Sequence, residues 1–424
     1  MTIDIDSIIN NTIYLSSGKF FQYKSPIWSE VNEAELRSMI FNTDKTILSS
    51  KTNDISKHIE LIKLSKFTHP QYLPDHLICL KDCFLDLEKM ETVPLSSKYF
   101  TRTYLDYSEA GIVDENSQPH RFLEFLNNIF STDDDKCQKI MLIQEFMGAC
   151  LKRDAKRLGK MIWFIGNGSN GKSVLTDVIK AVIGRHNCSS IELHDFGGSR
   201  PFNTAQIDGK LLNVSSEVNP RKKLNESTLK ALITGDSVQV ENKNERAYSL
   251  DNTAKFLACM NDLPPLTDLS DGFIRRIKIV EFNVTVQKDK RDVNLLEKLL
   301  AEQAAIFRWA LEGLGRLVEN GDYTDVPSSN QAIEKFLLFN DPIATFLKEY
   351  TDDSEPIVIE KAHIYDLYRN YCHDNGIRVT TSSVFGKHAK KFGVKPTHSD
   401  SDSQYIIRLK RKYKDRFTYK LLED

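Results

Sequence analysis

A glycine-rich segment near the middle of the chain has the residue types and spacing of a phosphate-binding loop. It matches G-x-x-x-x-G-K-S/T in full, through the residues Gly166, Asn167, Gly168, Ser169, Asn170, Gly171, Lys172 and Ser173. Glycines let the backbone turn its N–H groups toward a polyphosphate, and a following helix adds positive partial charge. Lys172 is expected to reach the β and γ phosphates of ATP, and the Ser173 hydroxyl is expected to bind Mg²⁺.

The flanking segments provide the elements that must position this loop. Met161–Ile165 is mostly apolar and predicts a buried strand. Apolar residues then recur at helical spacing from Val174 to Val182, and Gly184 is a typical helix stop. Strand, loop and helix in this order favour a phosphate-binding loop over a chance glycine turn.

The second element of the candidate site is an acidic residue at the end of another apolar strand downstream. Gly209–Glu217 predicts a strand whose final carboxylate, that of Glu217, would orient the attacking water and contribute to the Mg²⁺ site. Many such strands end in two acids, whereas Ser216 precedes Glu217 here. Mg²⁺ is therefore expected to be held mainly by Ser173, the phosphates and water, which this ion tolerates. In isolation, Glu217 would be read as an exposed acid at a strand end.

Two further polar features follow in chain order. Lys255–Asn261 predicts a strand that ends in Asn261, whose amide can hydrogen-bond the γ-phosphate or the attacking water. Arg275 and Arg276 precede the next predicted strand, and an arginine presented to the γ-phosphate of a neighbouring subunit would neutralise charge in the transition state. The ordinary alternatives are turn chemistry for the asparagine and surface ion pairs for the arginines.

Between Glu217 and Asn261 the sequence predicts a β-hairpin over Gly235–Asp251. Apolar residues alternate on both arms, and the tip carries Lys243 and Arg246. Basic residues at a hairpin tip suit a grip on a phosphate backbone, although an isolated basic turn is more often simply solvated.

The remaining patterns outline the domains. Residues 155–285 alternate strands and helices, which predicts an α/β fold with a parallel sheet. Its strands are predicted at Met161–Ile165, Leu211–Ser215, Lys255–Met260 and Ile277–Phe282. Residues 1–150 are predicted to be mainly helical, and 292–318 to be a helical stretch broken near Gly313 and Gly315.

Composition excludes several classes of protein. Hydrophobic residues make up 40% and charged residues 27%, as in soluble globular proteins. Apolar runs are short, so neither a transmembrane helix nor a signal peptide is expected. The seven cysteines are scattered and odd in number. We therefore expect reduced thiols in the cytoplasm of a host cell and no membrane partner.

The net charge of −2 hides a basic C-terminal segment. Residues 360–424 carry 14 Lys and Arg against 8 Asp and Glu, a net charge of +6. Helices are predicted at Val358–Asn375 and Thr381–Phe392, and a strand begins at Tyr405. This order predicts a winged-helix module whose second helix turns basic residues outward, namely Lys387, His388, Lys390 and Lys391. Duplex or junction DNA is the favoured ligand, and protein docking is the alternative.

The five features from Gly166 to Arg276, taken in order, resemble a superfamily 3 helicase of the AAA+ class. The resemblance is strongest to the C-terminal half of phage, plasmid and mobile-element primase-helicases, including the related poxvirus enzyme. The Ser216–Glu217 ending is similar to that branch's own form of the acidic strand. Residues 77–150 and 305–313 resemble its preceding helical segment and its closing helix.

The resemblance implies a ring, a hexamer, that binds ATP and Mg²⁺ at each subunit interface and translocates 3′ to 5′. Arg275 or Arg276 would act on the neighbouring subunit's ATP. Lys243 would line the central channel and follow single-stranded DNA at a fork. Residues 1–76 carry no pair of carboxylates like that of the family's primase domain, so a separate primase or polymerase is an expected partner.

The sequence thus predicts four segments: a mainly helical N-terminal domain (1–150), an AAA+ ATPase core (151–320), a linker (321–340) and a winged-helix module (341–424). The favoured function is ATP-driven unwinding of DNA during replication of a phage, plasmid or mobile element. One alternative is an origin-binding initiator or helicase loader that uses ATP for assembly without processive unwinding. Another is a P-loop ATPase that acts on proteins.

Overall fold

The computed structural model describes residues 5–15, 18–43, 52–65, 71–112, 118–153, 159–197, 201–219, 222–242, 247–266, 271–287, 289, 291–397, 403–414 and 420–421. They form two compact units. The larger unit comprises Met1–Pro264 and Arg275–Ser329, and the smaller comprises Pro265–Ile274 and Asn330–Asp424. Among the described residues, no helix combines the length and the apolar character needed to cross a membrane.

The N-terminal part of the larger unit mixes helices with short strands. Its helices are α1 (Ile5–Asn10), α2 (Glu33–Thr43), α3 (Thr52–Ser65) and α4 (Glu109–Ile112). Its strands are β1 (Thr12–Tyr14), β2 (Phe20–Lys24), β3 (Ile27–Val31), β4 (Gln71–Tyr72), β5 (Leu77–Cys79), β6 (Cys83–Asp86), β7 (Glu91–Pro94) and β8 (Tyr99–Phe100). The expected mainly helical domain is therefore not confirmed.

These strands form three small sheets. Strands β1, β2 and β3 make an antiparallel sheet, here called the N-terminal sheet, and β5, β6 and β7 make another. Strands β4 and β8 form a parallel pair. Aromatic residues such as Phe21 and Trp28 favour strands, but segments this short give a weak periodic signal.

The core of the larger unit is a five-stranded, fully parallel sheet with helices between its strands. Two helices, α5 (His120–Ile129) and α6 (Lys136–Leu151), lead into it. The core elements, in chain order, are β9 (Met161–Ile165), α7 (Lys172–Ile183), β10 (Cys188–Ser189), α8 (Pro201–Ala205), β11 (Leu212–Ser215), α9 (Glu226–Ile233), β12 (Ser237–Val240), β13 (Tyr248–Asp251), β14 (Lys255–Met260), α10 (Asp271–Ile274, in the smaller unit), β15 (Ile277–Glu281), α11 (Leu295–Leu300) and α12 (Gln303–Asn320).

The strand order of this sheet is β10-β11-β14-β9-β15. Every residue of β14 is buried, as expected for a parallel strand covered on both faces. The predicted parallel α/β core is confirmed, and all four predicted strands form. Strand β10 was missed because it is only two residues long.

Helices α6 and α12 pack closely at two glycines. A Cβ on Gly313 would lie 2.5 Å from Gln144 O, and one on Gly148 would lie 2.6 Å from Leu314 N. The prediction of a break near Gly313 and Gly315 is wrong, because α12 is continuous there and α11 and α12 separate instead at residues 301–302. Glycine at these positions allows backbone contact between helices rather than ending one.

The smaller unit has its own core. After α13 (Pro327–Asn340), its elements are α14 (Pro342–Tyr350), β16 (Ile357–Glu360), α15 (Lys361–Asp374), α16 (Ser382–Ala389), β17 (Lys395–Pro396), β18 (Gln404–Ile407), α17 (Arg411–Lys414) and β19 (Lys420–Leu421). Its antiparallel sheet has the order β17-β18-β16-β19. Phe346, Tyr368 and Phe385 pack at its centre. Helix α13 occupies much of the segment that the sequence predicted as a linker.

Candidate nucleotide site and nucleic-acid-binding elements

The parallel sheet brings three predicted site segments to one edge. The glycine loop follows β9, Ser216 and Glu217 follow β11, and Asn261 follows β14. Because these strands are parallel and β14 lies between β9 and β11, their carboxyl ends meet where α/β sheets bind ligands. Two backbone hydrogen bonds tie the segments together: Gly166 N–H donates to Met260 O at 3.3 Å, and Val218 N–H donates to Cys259 O at 3.2 Å.

The loop has the backbone that its glycines predict. Gly171, at the N-cap of α7, has a φ of 88°, and Ser169 has a φ of 52°, a left-handed value that is uncommon for a residue with a side chain. A Cβ on Gly166 would lie 2.7 Å from Phe282 O, so only glycine fits there. Asn167, Gly168 and Ser169 are exposed, which leaves the loop backbone open to a ligand.

Lys172 is held inside the loop. Its Nζ donates a hydrogen bond to the carbonyl oxygen of Gly166, and the residue is 8% exposed. Burial lowers the pKa of this ammonium group. A phosphate anion would favour the charged form and offer a stronger acceptor than the carbonyl. Ser173, in the first turn of α7, is exposed at the same helix end.

Asn170 braces the loop rather than facing solvent. It is 3% exposed, and its Nδ2 lies 3.5 Å from Phe282 O while its Oδ1 lies 3.5 Å from Lys172 N. The side chain thus links the loop to the residue that follows β15. The sequence had counted Asn170 among the phosphate-binding residues without distinguishing this role.

A segment that follows β15 lies against the loop, and sequence reasoning missed it. Val286 N–H donates to Ser169 O at 2.8 Å. The Nη2 group of Arg291 donates to Ser169 Oγ at 2.7 Å, and its Nε donates to Val286 O at 3.3 Å. The charged run 288–292 was the available signal. This contact adds a second cation to the site in the same chain.

The acidic edge also contains a residue that sequence reasoning missed. Glu217 and Ser216 are exposed, as expected for a strand end open to water. Glu192, which follows β10, places its carboxyl group beside the backbone N–H groups of both. Burial raises the pKa of Glu192 more than these N–H groups lower it. Among the described residues, its Oε2 atom is buried without a hydrogen-bond partner.

Arg275 and Arg276 lie away from the loop of their own chain. They precede β15, which runs parallel to β9 with Ile277 opposite Met161, so they lie near the amino end of β9. Strand β9 has five residues, so the glycine loop lies about 16 Å further along the sheet. The structure therefore does not bring these arginines to the nucleotide loop within one chain. Burial, and then Arg275, lower the pKa of Arg276.

The predicted hairpin forms as β12 and β13. Val238 pairs with Leu250 and Val240 pairs with Tyr248, which confirms the alternation found in the sequence. The predicted DNA-contacting residues of the tip, Lys243 and Arg246, lie outside the described residues. Their role stays a prediction.

The basic helix of the smaller unit forms as α16, capped by Thr381, whose Oγ1 accepts from Val384 N–H at 3.4 Å. Lys387, Lys390 and Lys391 are exposed, as expected. His388 is not turned outward, because its Nε2 lies 2.9 Å from Asp341 Oδ2 at the start of α14. This histidine therefore links two helices of the unit.

Comparisons with known proteins match two separate parts of the chain. Residues 164–276, which contain the loop, the hairpin and both arginines, match a family model described only as a family of unknown function (DUF5906). Residues 339–424 match a family described as Poxvirus D5 protein-like. The second match supports the resemblance to the poxvirus branch that the sequence indicated.

Solved structures agree over nearly the whole chain. Three apo structures of the NrS-1 C-terminal region superpose with TM-scores of 0.56, 0.52 and 0.52 at 13%, 14% and 15% sequence identity. Each comparison covers 94% of this chain and 95–96% of the other. The chain thus shares its fold with the NrS-1 C-terminal region along almost its full length.

Proposed function

We propose that this protein is an ATP-dependent DNA helicase of the superfamily 3 type that acts in replication. One observation carries the proposal: the loop containing Lys172 and Ser173 lies at the same edge of a parallel sheet as Glu217 and Asn261. A phosphate loop, an acid and a tip amide are the parts that ATP hydrolysis requires at one place. The Poxvirus D5 protein-like match and the fold shared with the NrS-1 C-terminal region favour replication over other uses of ATP.

The residues of the loop fit a nucleoside triphosphate with Mg²⁺. Lys172 would exchange the Gly166 carbonyl for the β and γ phosphates, and the exposed Ser173 hydroxyl would bind the metal. Bound Mg²⁺ would neutralise charge on the phosphates. Glu217 would accept the proton of the attacking water, and Asn261 would hold that water or the γ-phosphate in place.

The position of the two arginines supports a ring. Arg275 and Arg276 lie roughly a strand length from the loop of their own chain, so an arginine that acts on ATP must reach a second copy. Heterologous contacts that close by rotation give such an arrangement, and we propose a hexamer. The hairpin tip, with Lys243 and Arg246, would then face the channel and follow single-stranded DNA 3′ to 5′.

The smaller unit is proposed to be a winged-helix module that binds duplex or forked DNA. Its element order supports this proposal: α14, β16, α15, α16 and then the paired strands β17 and β18. Helix α16 carries the exposed side chain of Lys387, and the exposed Lys390 and Lys391 lie in the 3-10 turn directly after it; all three suit contacts to DNA phosphates. The same features favour a second candidate function, an origin-binding initiator or helicase loader that uses ATP for assembly.

A forked-DNA unwinding assay separates the two candidate functions. The helicase proposal predicts unwinding that requires ATP and a 3′ single-stranded tail, together with ATPase activity that single-stranded DNA stimulates. A loader would bind the fork and hydrolyse ATP without displacing the strand. An ATPase that DNA does not stimulate would contradict both functions and favour an enzyme that acts on proteins.

A further inference from the structure

A network of charged groups links the N-terminal sheet to the hairpin formed by β12 and β13. Its centre is Asp208, in the turn between α8 and β11. Arg102 Nη1 lies 2.7 Å from Asp208 Oδ1, and the hydroxyl of Tyr248 donates to Asp208 Oδ2 at 3.3 Å. One carboxylate thus contacts the segment that follows β8 on one side and the first residue of β13 on the other.

The N-terminal sheet supplies the rest of the network. Lys19, just before β2, pairs with Glu30 of β3 at 3.0 Å, and its Nζ lies 5.3 Å from the centre of the Tyr248 ring. The guanidinium of Arg102 lies 5.1 Å from the ring of Phe21 in β2. Tyr248 is therefore contacted at its ring by Lys19 beside the N-terminal sheet, and at its hydroxyl by Asp208, which Arg102 connects to that sheet.

The backbone around Asp208 is shaped for this contact. Gly209 has a φ of 69°, and a Cβ there would lie 2.9 Å from Arg102 Cζ. Glycine therefore lets the guanidinium lie flat against the turn. The side chains of Arg102 and Asp208 are 23% and 20% exposed, so water screens this ion pair less than a surface pair.

The anchored residue is close to the hairpin tip. Tyr248 pairs with Val240 in the last described rung before the tip and follows Arg246 by two residues. Burial, and then Asp208, raise the pKa of Tyr248, so the phenol stays protonated and can donate to the carboxylate. A contact at this rung restricts the arms at the point where they enter the tip.

We propose that the N-terminal sheet positions the hairpin through Asp208 and Tyr248, and thereby sets how tightly the hairpin tip binds single-stranded DNA. The inference rests on the proposed function, which assigns DNA binding to the tip. Hairpin arms held in one geometry lose less conformational entropy when DNA binds, so anchoring the arms raises affinity without a new DNA contact. Tyr248 and Asp208 are thus positioning residues that act through the tip.

The test compares Tyr248→Phe with a matched control, Tyr23→Phe. Both remove one hydroxyl from a β-strand tyrosine. The ring of Tyr23, in β2, packs beside Trp28, and its hydroxyl makes no hydrogen bond among the described residues. The readout is the oligo-dT concentration that gives half-maximal stimulation of ATPase activity. Tyr248→Phe is expected to raise this concentration about threefold to tenfold, the effect of losing one hydrogen bond. Its rate of ATP hydrolysis without DNA is expected to be unchanged. Tyr23→Phe is expected to match the wild type.

Asp208→Asn provides a second variant, which keeps the side-chain shape and weakens both contacts. It is expected to raise the half-maximal DNA concentration. Because both changes break the same contact, the double variant with Tyr248→Phe is expected to need no more DNA for half-maximal stimulation than the more affected single variant. Equal values for Tyr248→Phe and Tyr23→Phe, or a parallel loss of the DNA-independent rate, would overturn the inference. A wild-type ATPase that oligo-dT does not stimulate would instead refute the proposed function itself, and this inference with it.

Discussion

The packing of α6 against α12 predicts opposite changes in stability when Gly313 and Gly315, two positions apart on α12, are each replaced by alanine. Gly313→Ala places a methyl group 2.5 Å from Gln144 O and 2.6 Å from Gln144 C, whereas nothing lies within 4 Å of a Cβ on Gly315. Both variants gain about 1 kcal/mol of helix propensity. Only Gly313→Ala also forces two helix backbones apart, at a cost of about 1–3 kcal/mol.

Because the propensity gain is common to both variants, the difference between them measures the overlap alone. The assay is urea unfolding followed by tryptophan fluorescence, since Trp28, Trp163 and Trp309 all belong to the larger unit. With a slope near 3 kcal/mol/M, the midpoint of Gly313→Ala should lie roughly 0.3–1 M below that of Gly315→Ala. A midpoint at or above that of Gly315→Ala would refute the assignment of Gly313 to close helix packing.

Three further predictions concern the site and its surroundings. Arg291→Ala should raise the KM for ATP about threefold to tenfold in steady-state hydrolysis, because Ser169 loses one hydrogen bond, and an unchanged KM would contradict this. A thiol reagent at pH 8 should modify the exposed Cys137 before the buried Cys79, because burial raises the pKa of Cys79 to about 12. Mass spectrometry of the modified protein reports the order in which the cysteines react. Burial favours the protonated form of Glu192 in the folded state, so the folded protein loses stability as pH rises through the pKa that Glu192 has in that state. Glu192→Gln should therefore raise the midpoint of urea unfolding more at pH 8 than at pH 4.

Local patterns sufficed where neighbouring residues alone determine the structure. The strand Met161–Ile165 before the loop was predicted at its observed bounds, and the predicted helix forms as α7, which begins at Lys172 within the loop motif and ends just before the predicted stop at Gly184. The two arms of the hairpin also followed from its alternating apolar residues. In each case the signal lies within about twenty residues of sequence, and the hydrophobic period matches the element.

Contacts between distant segments were not predictable. A helix break was predicted near Gly313 because its neighbour Gln144, on another helix, is 169 positions away along the chain. Arg291 and Glu192 reach the site from segments without a motif, and Glu192 follows a strand of two residues. His388 was placed on the outward face because the helical period alone does not reveal Asp341. These side chains are defined by the fold rather than by local spacing.

The central claim is that the glycine loop drives strand separation through ATP hydrolysis. The most direct measurement is unwinding of a 3′-tailed fork by the wild type, by Lys172→Ala and by the matched control Lys180→Ala, which removes a lysine from the same helix, α7, away from the loop. This mechanism predicts ATP-dependent unwinding by the wild type and Lys180→Ala, and none by Lys172→Ala. Unwinding by Lys172→Ala at the wild-type rate would contradict it.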